Sequence, residues 1–557
     1  MTQLIECVPN FSEGRDRARL TIITDAIDAV EGVTVLDVDP GAATNRTVVT
    51  FVGGPDAIVE GAVRAGLAAK DAIDMRAHSG EHPRFGAMDV CPLVPIAGIT
   101  MDEVVTLAHR IGERLGREAG ISGYYYEHAA TDPARRNLAA CRAGEYEGLP
   151  AKLADPAWRP DFGPGTFDPK YGVTAVGARD FLVAYNVNLN TTSARRANAI
   201  AFDVREKGRV SLVEGAPALD ANGHEIWLPG SLKGVKAIGW FIEEYGIAQI
   251  SMNLTSIIVT PIHVAFDECC RRAEARGIRV TGSEIVGLVP LSAMLEAGRH
   301  FLRKQQRSLG IPDEDLIAIA VTSLGLDELK PFEPTAKIIE YAVQARAPRR
   351  RLVDLSLRGF VHRTASEAPA PGGGSVAAAL GALAAALATM VANLSAHKRG
   401  WDDRWEEFSR WAERGKALHD ALLELVDADT DAFNAIAEAR RLPRATEAER
   451  AVRDRAVQDA TKGAIEIPLR VMRCSMDAFP VIRAMAEHGL PASVSDAGVG
   501  ALVARAAVEG AHLNVRVNAT DITDRSWVED VLATAQSLRD AAQVAERDIL
   551  ALIDRRL

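Results

Sequence analysis

VTVLDV at residues 33–38 and TVVTFV at residues 47–52 consist largely of β-branched residues, which fit the pleated surface of a β-sheet. Apolar residues recur at helical spacing on both sides of a third strand-like run. The helical runs cover residues 56–73 and 101–117, and the strand covers residues 90–96. This alternation predicts an α/β subdomain, in which a helix layer covers a sheet.

A similar alternation follows a loop rich in proline and glycine at residues 160–169. Strand-like runs cover residues 181–189, 235–242, 247–254 and 278–289. A helical run at residues 261–276 lies between the last two of these strands. The sequence therefore predicts a second α/β subdomain. We expect the first subdomain to cover residues 1–178 and the second to cover residues 179–330.

The remaining sequence has a different character. A basic stretch around Pro348 predicts an exposed linker, which we place at residues 331–351. Beyond it, nearly every stretch is rich in Ala, Leu, Arg and Glu with helical periodicity. The predicted fold is therefore multidomain: two α/β subdomains followed by an all-α helical bundle at residues 352–557. Residues 376–394 carry no charge but are mostly alanine, which favours a buried helix over a membrane span.

Composition excludes several classes of protein. The chain has 557 residues, 48% hydrophobic and 25% charged, as is usual for a globular protein. Its formal net charge of −11 argues against a nucleic-acid partner. Six scattered cysteines are typical of reduced thiols, and the first residues lack a secretory signal. We expect a cytoplasmic protein that binds small molecules and no membrane.

The densest cluster of reactive side chains is HSGEHPRFGAMD at residues 78–89. Its glycines and proline predict a loop, and loops often carry reactive groups. Two histidines four residues apart would share a metal only on a continuous helix, which Gly80 and Pro83 disfavour. An imidazole can both accept and donate a proton near neutral pH, so we expect acid–base chemistry here and no metal.

A second cluster, APGGGS at residues 370–375, directly precedes the alanine-rich helix. Glycines at a helix N-terminus expose backbone N–H groups to a ligand of negative polarity. The run lacks the lysine of a phosphate-binding P-loop, which argues against a nucleotide. Taken alone, the glycines favour a tight turn between closely packed helices over a ligand site.

Seven short motifs occur in order within the first 330 residues. They are VPNFSEG at 8–14, LDVD at 36–39 with TNRT at 44–47, the 78–89 run, DFGP at 161–164, GAR at 177–179, NVNL at 186–189 and GSEIVGLVP at 282–290. Together they resemble glutamate formimidoyltransferase. The sequence departs from that family in a longer stretch at residues 210–230, which we expect to form a surface hairpin, and in Ser79, where the family often has a basic residue.

This resemblance implies transfer of a formimidoyl group from N-formimidoyl-L-glutamate to nitrogen 5 of tetrahydrofolate. It implies that His82 is the catalytic acid and base, and that the loop at residues 163–172 contacts folate. One amine must lose a proton and the departing amine must gain one, so a single imidazole suffices. The implied substrate- and folate-binding residues are Asn10, Asn45, Arg46, Arg84, Gly163, Pro164, Gly165, Thr166 and Gly172.

Motifs beyond residue 352 resemble formimidoyltetrahydrofolate cyclodeaminase. They are APGGGSVAAA at 370–379, LVDAD at 425–429 with AF at 432–433, SD at 495–496, Asn514 and DITD at 521–524. The resemblance implies that Asp429 donates a proton to the leaving ammonia, which requires a pKa raised by burial. Asp427 faces another side of the helix, as either a solvated residue or a substrate ligand, and the choice of donor between the two stays open. The implied binding residues are Gly372, Gly373, Gly374, Ser375 and Asp427.

Together the two resemblances predict a bifunctional folate enzyme of histidine degradation. Its co-substrate is tetrahydrofolate, with or without a polyglutamate tail, and it needs no metal. The resemblance also implies a homo-oligomer formed through the helical domain. Two other readings stay open: a formyltransferase acting on N-formylglutamate, and a non-catalytic folate-binding scaffold.

Overall fold

The computed structural model describes residues 3–42, 44–80, 83–213, 215–346 and 351–557. The chain divides into two compact units. The first comprises Met1–Met294 and Val321–Ala347, and the second comprises Leu295–Ala320 and Pro348–Leu557. The predicted subdomain boundaries and the linker at residues 331–351 stay predictions.

The first unit begins with a mixed sheet of seven described strands. They are β1 (Leu4–Cys7), β2 (Asn10–Phe11), β3 (Val33–Gly41), β4 (Arg46–Gly53), β5 (Met88–Ala97), β6 (Gly123–Glu127) and β7 (Thr174–Ala178). β3 pairs with β4, and β1 and β2 both lie between β4 and β5. β5, β7 and β6 then follow in parallel. The parallel strands bring the ends of three chain segments to one edge of the sheet.

Helices cover both faces of this sheet. α1 (Arg17–Asp28), α2 (Pro55–Ala72) and α3 (Met101–Ala119) supply the main core with residues such as Ile23, Ile58 and Ile111. The other face packs against the shorter α4 (Leu138–Arg142) and α5 (Glu145–Ala154). α3 starts at a capping box in which the Thr100 and Glu103 side chains bond each other's backbone, so its register is fixed.

The second subdomain contains an antiparallel sheet of four strands in the order β13, β14, β8, β15. These are β8 (Val183–Leu189), β13 (Val235–Ile242), β14 (Ile247–Leu254) and β15 (Val280–Val286). α6 (Ala194–Val204) and α7 (Ile262–Glu274) pack on it. Val187 pairs with Ile250 and Ser283 at the centre of the sheet.

Residues 210–230 lie in a protruding segment with two short antiparallel pairings. β9 (Arg209–Val210) pairs with β12 (Trp227–Leu228), and β10 (Leu212–Val213) pairs with β11 (Ala216–Pro217). The subdomain is completed by α10 (Pro334–Lys337) and α11 (Ile339–Arg346). α8 (Leu291–Lys304) and α9 (Asp313–Leu324) run across the unit boundaries in the chain.

The second unit is built from long helices, and its described residues contain no strand. They are α12 (Leu357–Thr364), α13 (Gly373–Ala396), α14 (Trp405–Arg441), α15 (Glu447–His488), α16 (Val494–Ala519) and α17 (Arg525–Asp554). α13 packs against α14, α15 and α16. Its many alanines lack bulky side chains, so neighbouring helices can approach its backbone closely. The predicted fold class, two α/β subdomains followed by an all-α bundle, is confirmed.

Among the described residues, α13 is the one helix long and apolar enough to cross a membrane, and 61% of its most apolar stretch is buried in the bundle. A core helix passes the same test of length and composition. One stripe of α13 stays exposed, with Leu383 57%, Met390 38% and Leu394 46% accessible.

Candidate active sites

The loop at residues 78–89 is anchored to the sheet at its C-terminal end. The buried Asp89 accepts a hydrogen bond from the Phe85 backbone N–H at 2.9 Å, and its other oxygen pairs with Arg142. Ser12 Oγ donates to the Gly86 carbonyl at 2.8 Å. These contacts position the segment that carries Pro83 and Arg84.

Two glycines bring this loop against the predicted folate loop. Gly86 and Gly172 form a backbone bridge. A Cβ on Gly86 would lie 1.9 Å from the Val173 carbonyl oxygen, and one on Gly172 would lie 2.2 Å from that of Phe85. Neither position can carry a side chain without moving backbone. The close approach of the reactive loop to the glycine-rich loop has this steric basis.

Asn45 links β4 to the reactive loop. It is buried in the left-handed region with φ 48°. Its Oδ1 accepts from Gly14 N at 3.0 Å, and its Nδ2 donates to the Ser79 carbonyl at 2.9 Å. Its own carbonyl lies 2.8 Å from Nε2 of His78. A carbonyl can only accept, so this Nε2 carries a hydrogen and His78 is held as a structural donor.

Asn10 and Arg46 lie side by side at the junction of β2 and β4. Arg46 Nε donates to Asn10 Oδ1 at 2.9 Å. Burial lowers the pKa of the Arg46 guanidinium to about 10, so it stays protonated at neutral pH. The Arg46 guanidinium therefore lies next to Asn45 as a fixed cation, which can bind a substrate carboxylate.

Arg84 emerges from the reactive loop toward α5. Its two terminal nitrogens bind the Glu147 carboxylate at 2.8 and 2.9 Å, and one of them reaches Glu145 at 3.3 Å. The bond to Glu147 raises the pKa of the Arg84 guanidinium and lowers that of Glu147. The sequence did not predict either glutamate as part of the site, because both lie about 60 residues from Arg84 in the chain and only tertiary packing brings them into contact.

The glycine-rich loop presents backbone to solvent. Gly163 and Gly165 have φ values of 83° and 74°, and Gly165 N donates to Ser122 Oγ at 3.0 Å. Pro164 and Thr166 are exposed between and after them. Asp161 holds the start of the loop by accepting from the Tyr125 N–H at 2.9 Å.

The structure therefore brings Asn10, Asn45, Arg46, Arg84, Gly172 and the glycine-rich loop together on one subdomain. His82, the predicted acid and base, lies outside the described residues together with Glu81. Its catalytic role stays a prediction.

Sequence reasoning also missed a buried acid on β1. Glu6 is 4% exposed, and burial raises the pKa of its carboxyl to about 7, against an opposing effect of Arg179. Its only sequence signal is an acidic residue inside the apolar run LIEC.

The second unit has its own candidate site at the N-terminus of α13. Asp429 Oδ2 accepts from Ser375 N at 2.9 Å and from Ser375 Oγ at 3.0 Å. A Cβ on Gly374 would lie 2.1 Å from Asp429 Oδ1, so only glycine lets the carboxyl lie against the helix. Burial raises the pKa of Asp429, and the two Ser375 bonds lower it in part.

The neighbouring glycines leave room around this carboxyl. Gly372 caps α13 in an extended conformation with no side-chain cap bond. A Cβ on Gly373 would lie 3.3 Å from Asn514 Nδ2, which places that amide beside the helix start. Phe433 is 52% exposed one turn further along α14.

Asp427 has a different environment from Asp429. Its Oδ1 accepts from the Leu352 N–H at 2.6 Å, and its Oδ2 lies 3.5 Å from Val353 N. It therefore caps the short turn Leu352–Asp354 rather than standing solvated on the helix. Its role as a substrate ligand stays a prediction.

Within the described ranges, no group of three or more His, Cys, Asp and Glu side chains could hold a metal ion.

Three family models match the chain. The N-terminal subdomain of the formiminotransferase domain matches residues 4–179, the formiminotransferase domain matches residues 184–344, and formiminotransferase-cyclodeaminase matches residues 356–537. With the α/β first unit and the helical second unit, they define a two-part enzyme in which a transferase precedes a cyclodeaminase.

Curated relatives agree with this division. Formimidoyltransferase-cyclodeaminase of Gallus gallus is 44% identical over 556 residues, covering 100% of both chains. Glutamate formimidoyltransferase of Thermoplasma acidophilum is 42% identical over 302 residues, covering 54% of this chain and 92% of that protein. Methenyltetrahydrofolate cyclohydrolase of Methylorubrum extorquens is 35% identical over 193 residues, covering 34% of this chain and 93% of that protein. The chain belongs to the formimidoyltransferase-cyclodeaminase family, and the family and enzyme class predicted from the motifs are confirmed.

The hydrogen bonds and the backbone conformation of Asn45 lead to a prediction about the free energy of unfolding. Asn45→Ala removes two side-chain hydrogen bonds and places alanine at positive φ, so we expect a loss of about 3 kcal/mol, roughly 1 for each contribution. Asn45→Gly loses the bonds but tolerates the backbone, so we expect it to lose about 1 kcal/mol less. Chemical denaturation of the full chain, followed through the transition of the first unit, measures both. Equal losses in the two variants would contradict a backbone contribution.

Proposed function

We propose that the first unit transfers the formimidoyl group of N-formimidoyl-L-glutamate to nitrogen 5 of tetrahydrofolate. The second unit then cyclises the product to 5,10-methenyl-tetrahydrofolate and releases ammonia. The observation that carries this proposal is the full-length match to formimidoyltransferase-cyclodeaminases, which spans both units without a gap in coverage. The chain is thus a folate enzyme of histidine degradation with both steps in one polypeptide.

In the first step, nitrogen 5 of tetrahydrofolate attacks the amidine carbon of formimidoylglutamate, and a tetrahedral intermediate forms. The attacking nitrogen loses a proton and the glutamate nitrogen gains one as it leaves, and we assign both transfers to His82. His78 is unsuited to this role because its Nε2 already donates to the Asn45 carbonyl. Arg46 and Arg84 would bind the substrate carboxylates, since each is a fixed guanidinium beside the reactive loop.

In the second step, nitrogen 10 attacks the formimidoyl carbon, a ring closes and the nitrogen of the imine leaves as ammonia. Ammonia leaves only after its nitrogen gains a proton, and Asp429 is the group we propose to supply it. Its raised pKa favours a protonated carboxyl, and Ser375 fixes its orientation. The backbone at Gly372–Gly374 would bind the substrate beside it.

We further propose that the folate is bound with a polyglutamate tail and without a metal. Arg205, Lys207 and Lys236 line an open cleft of about 490 Å³ in the first unit together with Glu206, and the excess of cations suits an anionic chain. We also propose a cytoplasmic location, because all six cysteines are free thiols, as a reducing compartment requires.

A second candidate for the helical unit is a methenyltetrahydrofolate cyclohydrolase. Its support is the 35% identity to the protein of that name from Methylorubrum extorquens. A cyclohydrolase adds water to the methenyl carbon and opens the ring at a carbon–nitrogen bond, whereas a cyclodeaminase closes the ring and releases ammonia. Measurement of ammonia therefore separates the two, and it also separates formimidoyl transfer from formyl transfer.

The main prediction concerns two single substitutions in the full chain. With N-formimidoyl-L-glutamate and tetrahydrofolate, we expect His82→Ala to abolish both methenyl-folate absorbance and ammonia release. We expect Asp429→Ala to abolish both signals but still consume formimidoylglutamate. Each loss should be at least about 100-fold, as is typical for a positioned acid or base.

Glu424→Gln, an exposed acid on the same helix as Asp429, is the matched control and should keep both signals. Wild-type protein that forms methenyl-folate without ammonia would contradict the deaminase step. Wild-type protein that forms neither product would contradict the proposed substrates.

A second prediction uses the Ser375 hydroxyl. Its bond to Asp429 stabilises the charged carboxylate and so lowers the pKa of that group. Ser375→Ala removes this bond, so the pKa rises and the carboxyl stays protonated to higher pH. We expect the alkaline limit of ammonia release from isolated 5-formimidoyl-tetrahydrofolate to move to higher pH. An unchanged or lowered limit would contradict Asp429 as the proton donor.

We also propose that the helical domain assembles into a homo-oligomer. The exposed stripe of Leu383, Met390 and Leu394 follows one face of α13, the most apolar helix of the bundle. Leu357 and Val361 of α12 add exposed apolar surface, 79% and 54% accessible. Such surface on a globular unit is typical of a face that binds another subunit.

The test of this assembly is Leu383→Glu combined with Met390→Glu. Two charges on the stripe should reduce the sedimenting mass of the full chain, because buried unpaired carboxylates oppose association. Val452→Glu, which adds a charge at an exposed apolar residue of α15, serves as the control. A monomeric wild type, or an unchanged mass in the double variant, would contradict this interface.

A further inference from the structure

The first turn of α5 touches both loops of the transferase site. Tyr146 N donates to the Arg84 carbonyl at 2.9 Å, and the Tyr146 hydroxyl donates to the Pro169 carbonyl at 2.6 Å. Glu145 and Glu147 flank this tyrosine and point their carboxylates at the Arg84 guanidinium. One helical turn thus contacts the reactive loop, the glycine-rich loop and a predicted substrate-binding cation.

The contact between Arg84 and Glu147 has the geometry of a bound ligand carboxylate. Two nitrogens of the guanidinium meet two oxygens of the carboxylate, at 2.8 and 2.9 Å. This paired arrangement is the one by which arginine recognises the carboxylate of a substrate. The position a substrate carboxylate would take is therefore already filled by a side chain of the protein.

The two partners differ in how firmly they are held. The Arg84 side chain is 12% exposed, and its Cζ lies 5.9 Å from the centroid of the Tyr146 ring. The guanidinium also reaches His78, at 3.4 Å from both its Nδ1 and its carbonyl oxygen. The Glu147 side chain is 66% exposed. The cation is thus fixed in the site, whereas the carboxylate enters from solvent and can leave at little cost.

We propose that Glu147 is a placeholder that occupies the carboxylate position on Arg84 until a glutamate carboxylate of the substrate displaces it. This inference rests on the proposed function, which places Arg84 at the transferase site. Both formimidoylglutamate and tetrahydrofolate carry a glutamate group, so the shared chemistry is a carboxylate that binds arginine through two oxygens. Glu147 lowers the affinity of Arg84 for a substrate carboxylate because it competes for the same two nitrogens. A ligand without a carboxylate cannot displace Glu147 through this contact.

Glu147→Gln tests the placeholder because it keeps the size of the side chain and removes its charge. We expect KM to fall about three- to six-fold for the substrate whose carboxylate binds Arg84, with kcat unchanged. Glu407→Gln is the matched control, since it breaks an equally paired contact with Arg404 in the helical unit. It should leave both KM values unchanged.

Three ligands identify which carboxylate is involved. A lower KM for formimidoylglutamate alone assigns the position to the donor substrate. A lower KM for tetrahydrofolate, together with an unchanged KM for tetrahydropteroate, assigns the position to the folate, because tetrahydropteroate lacks the glutamate. Unchanged KM values for all three, or a loss of kcat in Glu147→Gln, would overturn the placeholder and leave Glu147 as a structural brace of the loop.

Binding measured without turnover separates this inference from the proposed function. Calorimetry with formimidoylglutamate and with the stable 5-formyltetrahydrofolate should give a tighter complex for Glu147→Gln than for wild type. A wild type without transferase activity would contradict the proposed function. The comparison of binding affinities would still test whether Glu147 competes with a ligand carboxylate. Equal affinity in the two proteins, or no binding by either, would overturn it. Matching thermal unfolding of the two proteins would exclude a difference in folding as the cause.

Discussion

Close packing against glycine is the constraint on which both candidate sites depend. Gly86 and Gly172 let the two loops of the transferase site approach each other, because a Cβ on either would lie only 1.9 or 2.2 Å from a carbonyl oxygen, far inside van der Waals contact. Gly374 plays the same part in the helical unit, where the Asp429 carboxyl fills the space a Cβ would need. The glycines are therefore part of each site's geometry, because they decide which reactive groups can meet.

Burial then sets the charge of the groups that these contacts assemble. The Asp429 carboxyl is removed from water, which favours its neutral form, while Ser375 supplies an opposing bond that keeps the shift limited. In the first unit, Arg46 remains charged although partly buried, and Asn10 satisfies its guanidinium. Burial thus raises the pKa of the acid in one unit, while the cation of the other unit keeps its charge at neutral pH.

The sequence predicted those elements whose signal is local. The strands predicted at residues 235–242 and 247–254 match β13 and β14, of which β13 alternates buried and exposed residues. The runs near α2 and α3 carry clear helical periodicity. The runs LIEC of β1 and TAVGA of β7 are too short and too uniformly apolar for periodicity to distinguish a strand. For the same reason, no pattern could reveal that Glu147 meets Arg84, since that contact depends on tertiary packing.

Asp427 and Asp429 share one turn of α14, although their carboxylates bind different segments of the chain. Asp427 fixes the turn at which the described chain enters the helical unit, and Asp429 lies on the start of α13. Each residue of an α-helix advances the direction of its side chain by about 100°, so an insertion or deletion between residue 425 and residue 429 would misdirect one carboxyl relative to the other. Evolution can therefore change the identity of residues around this turn more easily than its length.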